Sequence, residues 1–233
     1  MIRPLSLTAR HLAVIPPADG PLYDPAWRML EDADLDRMAA EVIAEAQGPV
    51  RVFAYGSLIW NPDFEVAARR RAIAPGWHRD FSLALDHFRA TRDRPGLMLA
   101  LTSGGQCEGV VLDMAPGAEA MALRALLRRE LVAHELAANR RWIEVRTEHG
   151  PERVLTFYAD PVDAPLAGLD VAQQAARLAV AAGPAGSGAE YLLRTAEGLE
   201  RHGINDPYIW DLQDRVAREI ERIWMADPAR ALP

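Results

Sequence analysis

Phe53-Ala54-Tyr55-Gly56-Ser57-Leu58-Ile59-Trp60-Asn61-Pro62 is the stretch on which the reading of this chain turns. Val50 to Tyr55 reads as a buried strand, and Gly56-Ser57 ends it in a tight turn. A glycine there lets the backbone approach a ligand closely. Consecutive backbone N–H groups at such a turn can receive an anion or a developing oxyanion. Taken alone, the segment reads as an ordinary strand-to-loop turn, since a glycine turn by itself is a weak signal.

Outward from that stretch, the pattern is strands followed by helices. On the N-terminal side, residues 1–23 are rich in proline and turn residues and read as an irregular arm. Met29, Leu30, Leu35, Met38, Val42 and Ile43 recur at three- and four-residue steps, which predicts a helix over 24–46, stopped by Gln47-Gly48-Pro49. On the C-terminal side, strands are expected over 77–85, 97–101 and 108–112, the last two separated by a Gly104-Gly105 turn. A helix follows over 118–131, then a strand pair over 142–146 and 154–158 around His149-Gly150-Pro151. Helices are expected over 171–182, 189–201 and 206–225. Neighbouring strands and then helices, without strict alternation, argue an α+β fold rather than a doubly wound parallel sheet. The expected organisation is an N-terminal arm and helix over 1–48 and a main domain over 49–233, with no internal repeat.

Composition narrows the function classes. The 233 residues carry a formal net charge of -7, and half are hydrophobic, enough for a sizeable core. Arginine supplies every basic side chain, and the strongest basic run, Arg69-Arg70-Arg71, reads as a solvated face rather than a nucleic-acid patch. No stretch approaches the roughly 18 apolar residues of a membrane span. The expectation is therefore no nucleic-acid partner and no membrane partner. The single cysteine, Cys107, excludes an intramolecular disulfide and suits a reducing, cytoplasmic setting. The six histidines show no zinc-type spacing, so neither a metal nor any other cofactor is expected.

Two further segments carry chemistry. Leu126-Leu127-Arg128-Arg129-Glu130-Leu131 places a glutamate near an apolar helix end, where it is either a surface residue paired with arginine or a general base at a cavity rim. Ala181-Ala182-Gly183-Pro184-Ala185-Gly186-Ser187-Gly188-Ala189-Glu190-Tyr191-Leu192 runs a glycine-rich loop into a helix N-terminus, which favours negative ligand groups or simply connects two helices.

In this order, the YGSLIWNP turn, the Arg129-Glu130 pair and the AAGPxGxxxEYL loop resemble the ChaC-like γ-glutamylcyclotransferase family, whose members include glutathione-specific enzymes. Gly76-Trp77-His78-Arg79, Arg89-Ala90-Thr91, Pro95-Gly96 and Gly203-Ile204-Asn205-Asp206 resemble the same family's middle and late segments, so the likeness spans about residues 50 to 215. It implies a small mixed β-barrel flanked by helices. It also implies a lyase reaction that cleaves glutathione or a related γ-glutamyl peptide to 5-oxoproline and cysteinylglycine in a bacterial cytoplasm. Carried over by position, the substrate cradle is Tyr55, Gly56, Ser57 and Leu58, and the general acid/base is Glu130. Arg89 and Tyr191 are further substrate contacts. The implied partner is a small γ-glutamyl molecule, and the protein is expected as a monomer or homodimer. His134 stands where the family pattern has a glycine, Leu136 where it has a tyrosine, and Gly188 where it has an asparagine.

Other readings stay open at this level. A non-catalytic γ-glutamyl or small-molecule binding protein of the same fold is one. A hydrolase built on Cys107 with a scattered histidine is another, although no nucleophile-elbow signature is present. Trp60 and Trp77 are candidates to line a pocket, whereas Trp142, Trp210 and Trp224 are expected in the core.

Overall fold

The computed structural model describes residues 4–162 and 164–226. In chain order its elements are α1 (Ala9–Leu12), α2 (Asp32–Glu45), β1 (Arg51–Ala54), β2 (Val66–Leu85), β3 (Gly96–Met114), α3 (Glu119–Glu130), β4 (Arg140–Thr147), β5 (Gly150–Phe157), α4 (Val171–Leu178), β6 (Ala182–Gly183), β7 (Gly186–Ser187), α5 (Gly188–Arg201) and α6 (Pro207–Ile220). The described residues group into two compact units. Within the described residues, one is drawn from 4–25, 81–99 and 164–226, the other from 26–80 and 100–162.

The second unit holds most of a closed five-stranded barrel in the order β1-β3-β2-β4-β5. It is a mixed barrel. β1 runs antiparallel to β3, with Arg51 opposite Asp113 and Ala54 opposite Val110, and parallel to β5, with Val52 opposite Leu155. β4 and β5 form the expected hairpin, Arg140 opposite Phe157 through Thr147 opposite Gly150. Closure follows from side-chain alternation: Ala72, Ala74, Ile143 and Val145 point inward while their neighbours are more exposed. α2 and α3 pack on each other, burying Leu35, Met38 and Val42 on one side and Leu123, Leu126 and Leu127 on the other.

Several expectations change here. The helix expected over 24–46 is α2, which begins at Asp32 after an N-cap, Glu31, in extended backbone, and the arm expected to be irregular over 1–23 holds the short α1. Strands β2 and β3 are far longer than their alternating cores suggested. Gly104 and Gly105 do not separate two strands; both lie inside β3 at positive φ, bending it beside the His78 side chain. Arg69-Arg70-Arg71 is not a solvated face throughout, since it runs along β2 and turns Arg70 inward against Asp113 and Glu152. Trp142 is not a core residue: its indole N–H donates to Glu45 Oε2 at 2.7 Å and the Arg153 guanidinium lies 4.3 Å above its ring.

In the first unit α6 packs against α4 and α5. Each start is capped by the residue its sequence supplies: Asp170 accepts from Gln173 N, Ser187 from Glu190 N, and Asp206 from Tyr208 N and Ile209 N ahead of a helix opened by Pro207. The N-terminal arm is anchored to α6 through Ser6 Oγ, which donates to Asp214 at 2.7 Å, and Leu7 N, which donates to the buried Gln213 at 2.8 Å.

Candidate active site

The turn after β1 is built as its sequence suggests. Gly56 leaves the strand, and Ser57–Ile59 form a single 3-10 turn in which Ile59 N donates to Gly56 O at 3.0 Å and Asn61 N to Ser57 O at 2.8 Å. The N–H groups of Ser57 and Leu58 open this turn, where a helical segment leaves its first donors without partners of its own. Below the turn, the Tyr55 hydroxyl donates to the buried Phe157 carbonyl at 3.0 Å and so pins the end of β1 to β5.

Glu130 is the last residue of α3, and its neighbours Leu126, Leu127 and Leu131 are all buried. The Glu130 side chain is 15% exposed. Burial pushes its carboxyl above the ordinary range; nearby Arg129 opposes the shift and Asp63 adds to it. A carboxylate at a helix C-terminus also meets the negative end of the dipole, which acts in the same upward direction. The Tyr158 hydroxyl donates to the Glu130 carbonyl at 2.9 Å, and burial raises that phenol.

Arg129 joins these parts. Its Nε lies 3.2 Å from Glu130 Oε1, one terminal nitrogen donates to Ser57 Oγ at 2.9 Å, and the other donates to the Asn61 carbonyl. The competing carboxylate, Glu135, is held elsewhere: it accepts from Arg28 N at 3.1 Å and Arg28 Nε at 2.9 Å, and that pairing keeps it below the usual carboxylate range. Thus Tyr55, Gly56, Ser57, Leu58 and Glu130 are brought to one region of the barrel unit, while the pKa of Glu130 is shifted up by burial and that of Glu135 down by Arg28.

A ChaC-like family model matches residues 50–219, which takes in the turn, Glu130 and the glycine-rich loop. The chain belongs to the ChaC-like family. Among its relatives is the glutathione-specific γ-glutamylcyclotransferase of Escherichia coli, 34% identical over 168 residues that cover 71% of this chain and 72% of that protein. Glutathione-specific γ-glutamylcyclotransferase 1 of Danio rerio is 26% identical over 81% of this chain and all of its own length. Among solved structures, a yeast γ-glutamyl cyclotransferase specific to glutathione superposes with a TM-score of 0.64 at 21% identity, covering 73% of this chain and 96% of that one. The γ-glutamylcyclotransferase fold, a small barrel with flanking helices, is thereby established.

In this ChaC-like chain, Arg89 and Tyr191 come together in the other compact unit. The Arg89 guanidinium sits 5.7 Å from the Tyr191 ring centre and 5.7 Å from that of Phe88, and it pairs with Glu190 at 3.0 Å and the Ser187 carbonyl at 3.1 Å. Tyr191 packs edge-on to Phe81 at 5.9 Å. The glycine-rich loop is a small hairpin, β6 to β7, pressed against the 88–90 backbone: a Cβ on Gly183 would stand 2.4 Å from the Phe88 carbonyl. At Gly188 a Cβ would meet Leu178 Cδ2 at 2.9 Å, so a larger residue there would ask the end of that leucine side chain to shift. His134 is engaged with Asp34 at 3.3 Å.

Sequence reasoning overlooked Arg129, Asp63 and Tyr158 as members of the site. Arg129 was on view as half of the Arg-Glu pair, but an arginine beside a glutamate carries no sign of what else it reaches. Cys107 is buried beside Arg79, with 3.3 Å between Sγ and a guanidinium nitrogen. Among the described residues no three His, Cys, Asp or Glu side chains group as a metal site, and no helix is long and apolar enough to cross a membrane.

Proposed function

We propose that the protein is a γ-glutamylcyclotransferase that cleaves glutathione to 5-oxoproline and cysteinylglycine, with Glu130 as general acid/base and Tyr55, Gly56, Ser57 and Leu58 as the cradle for the γ-glutamyl group. The observation that carries this reading is the meeting, through Arg129, of a buried carboxylate with the Ser57 turn. The glutathione specificity in the names of the Escherichia coli and Danio rerio relatives supports the choice of substrate.

The reaction asks for little. The substrate's α-amine attacks its own γ-carbonyl and closes a five-membered lactam, so neither water nor a protein nucleophile enters. Holding the glutamyl chain folded supplies proximity, up to roughly 7–11 kcal/mol in ideal geometry. The amine, with a reference pKa of about 8, must lose a proton, and the departing amine must gain one. A carboxyl at its ordinary pKa of about 4.3 would accept that proton steeply uphill. Burial of Glu130 narrows the gap and makes one group serviceable as both base and acid. The N–H groups that open the 3-10 turn are the proposed donors to the oxyanion.

Arg89 and Tyr191 are proposed as secondary substrate contacts, to be tested by a rise in KM in Tyr191→Phe. Cys107 is the single cysteine of the chain, so no intramolecular disulfide can form, which supports placement in a reducing cytoplasm.

The direct test is incubation of the purified protein with glutathione, with both products followed by mass spectrometry. Both should form, and in Glu130→Gln both should fall by about two orders of magnitude or more. Undiminished turnover in Glu130→Gln would remove Glu130 from the mechanism. Activity on other γ-glutamyl amino acids without activity on glutathione would move the specificity.

A further inference from the structure

Arg129 makes three different contacts around one guanidinium, and two of them lie on a segment about seventy residues away in the chain. Neighbouring side chains on a helix normally diverge. Here Arg128 follows that rule and pairs with Asp32 on α2. Arg129 instead stays beside Glu130 because the Ser57 hydroxyl and the Asn61 carbonyl hold its terminal nitrogens. A guanidinium presents several donors in a rigid planar fork, so its three engagements fix its plane. The Arg129 side chain is 21% exposed, so water screens it only partly.

We propose that Arg129 is a positioning residue: it ties the Ser57–Asn61 turn to the Glu130 carboxyl, so that cradle and base move as one piece. This rests on the cyclotransferase reading for its chemistry, though not for its geometry. The remaining charged and titratable groups facing Glu130 are Asp63, just beyond the clasped turn, and Tyr158, whose hydroxyl holds the Glu130 carbonyl. Neither supplies a positive charge, so among the described residues Arg129 is the cation that balances the carboxylate. Ser57 Oγ accepts from Arg129, which leaves its own proton to be donated towards a ligand in the cradle.

The test compares Arg129→Met, Arg129→Lys and, as a control on the same helix turn, Arg128→Met. Three readouts are taken on each. The first is titration of the Glu130 carboxyl by carbon-13 NMR in protein labelled at glutamate, the signal being assigned with Glu130→Gln. The second is hydrogen exchange over 57–61. The third is the pH profile of kcat/KM with glutathione.

In Arg129→Met the carboxyl should titrate at higher pH, since a nearby cation favours its charged form. The acid limb of the profile should move the same way, turn exchange should rise, and kcat/KM should fall roughly tenfold to a hundredfold. Arg129→Lys keeps a charge but cannot span both acceptors. It should hold the titration near wild type while still loosening the turn, and it carries the test alone if Arg129→Met does not fold. Arg128→Met should change none of the three. Unchanged exchange over 57–61 in both Arg129 variants would overturn the proposal, as would an unmoved Glu130 titration in Arg129→Met. If wild type forms no 5-oxoproline, the cyclotransferase reading fails, while titration and exchange still decide whether the clasp exists.

Discussion

A glutamate at the closing turn of a helix, walled by leucines, pays in stability for what it gains as a base. Because folding raises its pKa, the folded state binds more protons than the unfolded chain once the pH exceeds the unfolded value of about 4.3. Glu130 therefore destabilises the fold as pH rises through the window between unfolded and folded values, and the loss is complete above it. Glu130→Gln should be more stable than wild type at neutral pH, by about 1–2 kcal/mol, with the advantage shrinking towards pH 4. Urea unfolding at a series of pH values measures this directly, and a pH-independent difference would contradict it. The identity of this residue was legible in the sequence, from an Arg-Glu pair closing an apolar helix run. Which of the two readings offered for it held, and that Arg129 would also reach Ser57 and Asn61, were not legible, because both depend on distant segments folding against the end of α3.

At the scale of elements, the long strands depend on glycines at points of close approach. Gly109 in β3 lies against β1, and a Cβ there would stand 2.6 Å from both the Ala54 carbonyl and the Phe53 ring. Since Ala54 is the last residue of β1 before the Tyr55–Leu58 turn, Gly109→Ala should both destabilise and disturb the site. The expected loss is about 1–3 kcal/mol in urea unfolding, accompanied by lower kcat/KM. Wild-type stability in that variant would mean that β1 and β3 have room the structure does not show. The β4–β5 hairpin was legible because its alternation and turn residues lie close together in sequence. The lengths of β2 and β3 were not. The first half of β2 carries arginines, alanines and a Pro75-Gly76 step, and the middle of β3 runs Thr102-Ser103-Gly104-Gly105-Gln106, residues that read as strand only once a partner strand supplies the ladder.

For the barrel as a whole, four strands meet at one charged cluster. Arg70 on β2 donates to Glu152 on β5 and to Asp113 on β3, and Arg51 on β1 lies 3.4 Å from Glu152. The Arg70 and Glu152 side chains are only 13% and 12% exposed. The hydrogen bonds from Arg70 hold Glu152 below the ordinary carboxylate range, against the effect of burial and with help from Thr147. This contribution is present above the unfolded pKa of about 4.3 and is lost as pH falls through the folded value, opposite in sense to Glu130. Arg70→Met should cost about 3–5 kcal/mol at neutral pH by leaving two carboxylates without their main cation, and less in acid, where they protonate. Equal losses at neutral and acid pH would show that Arg70 acts by packing alone.

The sequence by itself determined the α+β character, the hairpin, the glycine turn after β1, the glutamate that closes α3 and the family to which these belong. All are local patterns, written in residues a few positions apart. The tertiary structure decided which polar groups meet. Arg129 was assigned to Ser57 and Asn61, Arg70 to a cluster spanning four strands, and Glu135 to Arg28 rather than to the site. An arginine's partners depend on which distant backbone folds to within hydrogen-bond distance, and a carboxyl's acidity depends on what has displaced water around it. Both are properties of the closed barrel, and neither exists until β1, β3 and α3 have come together.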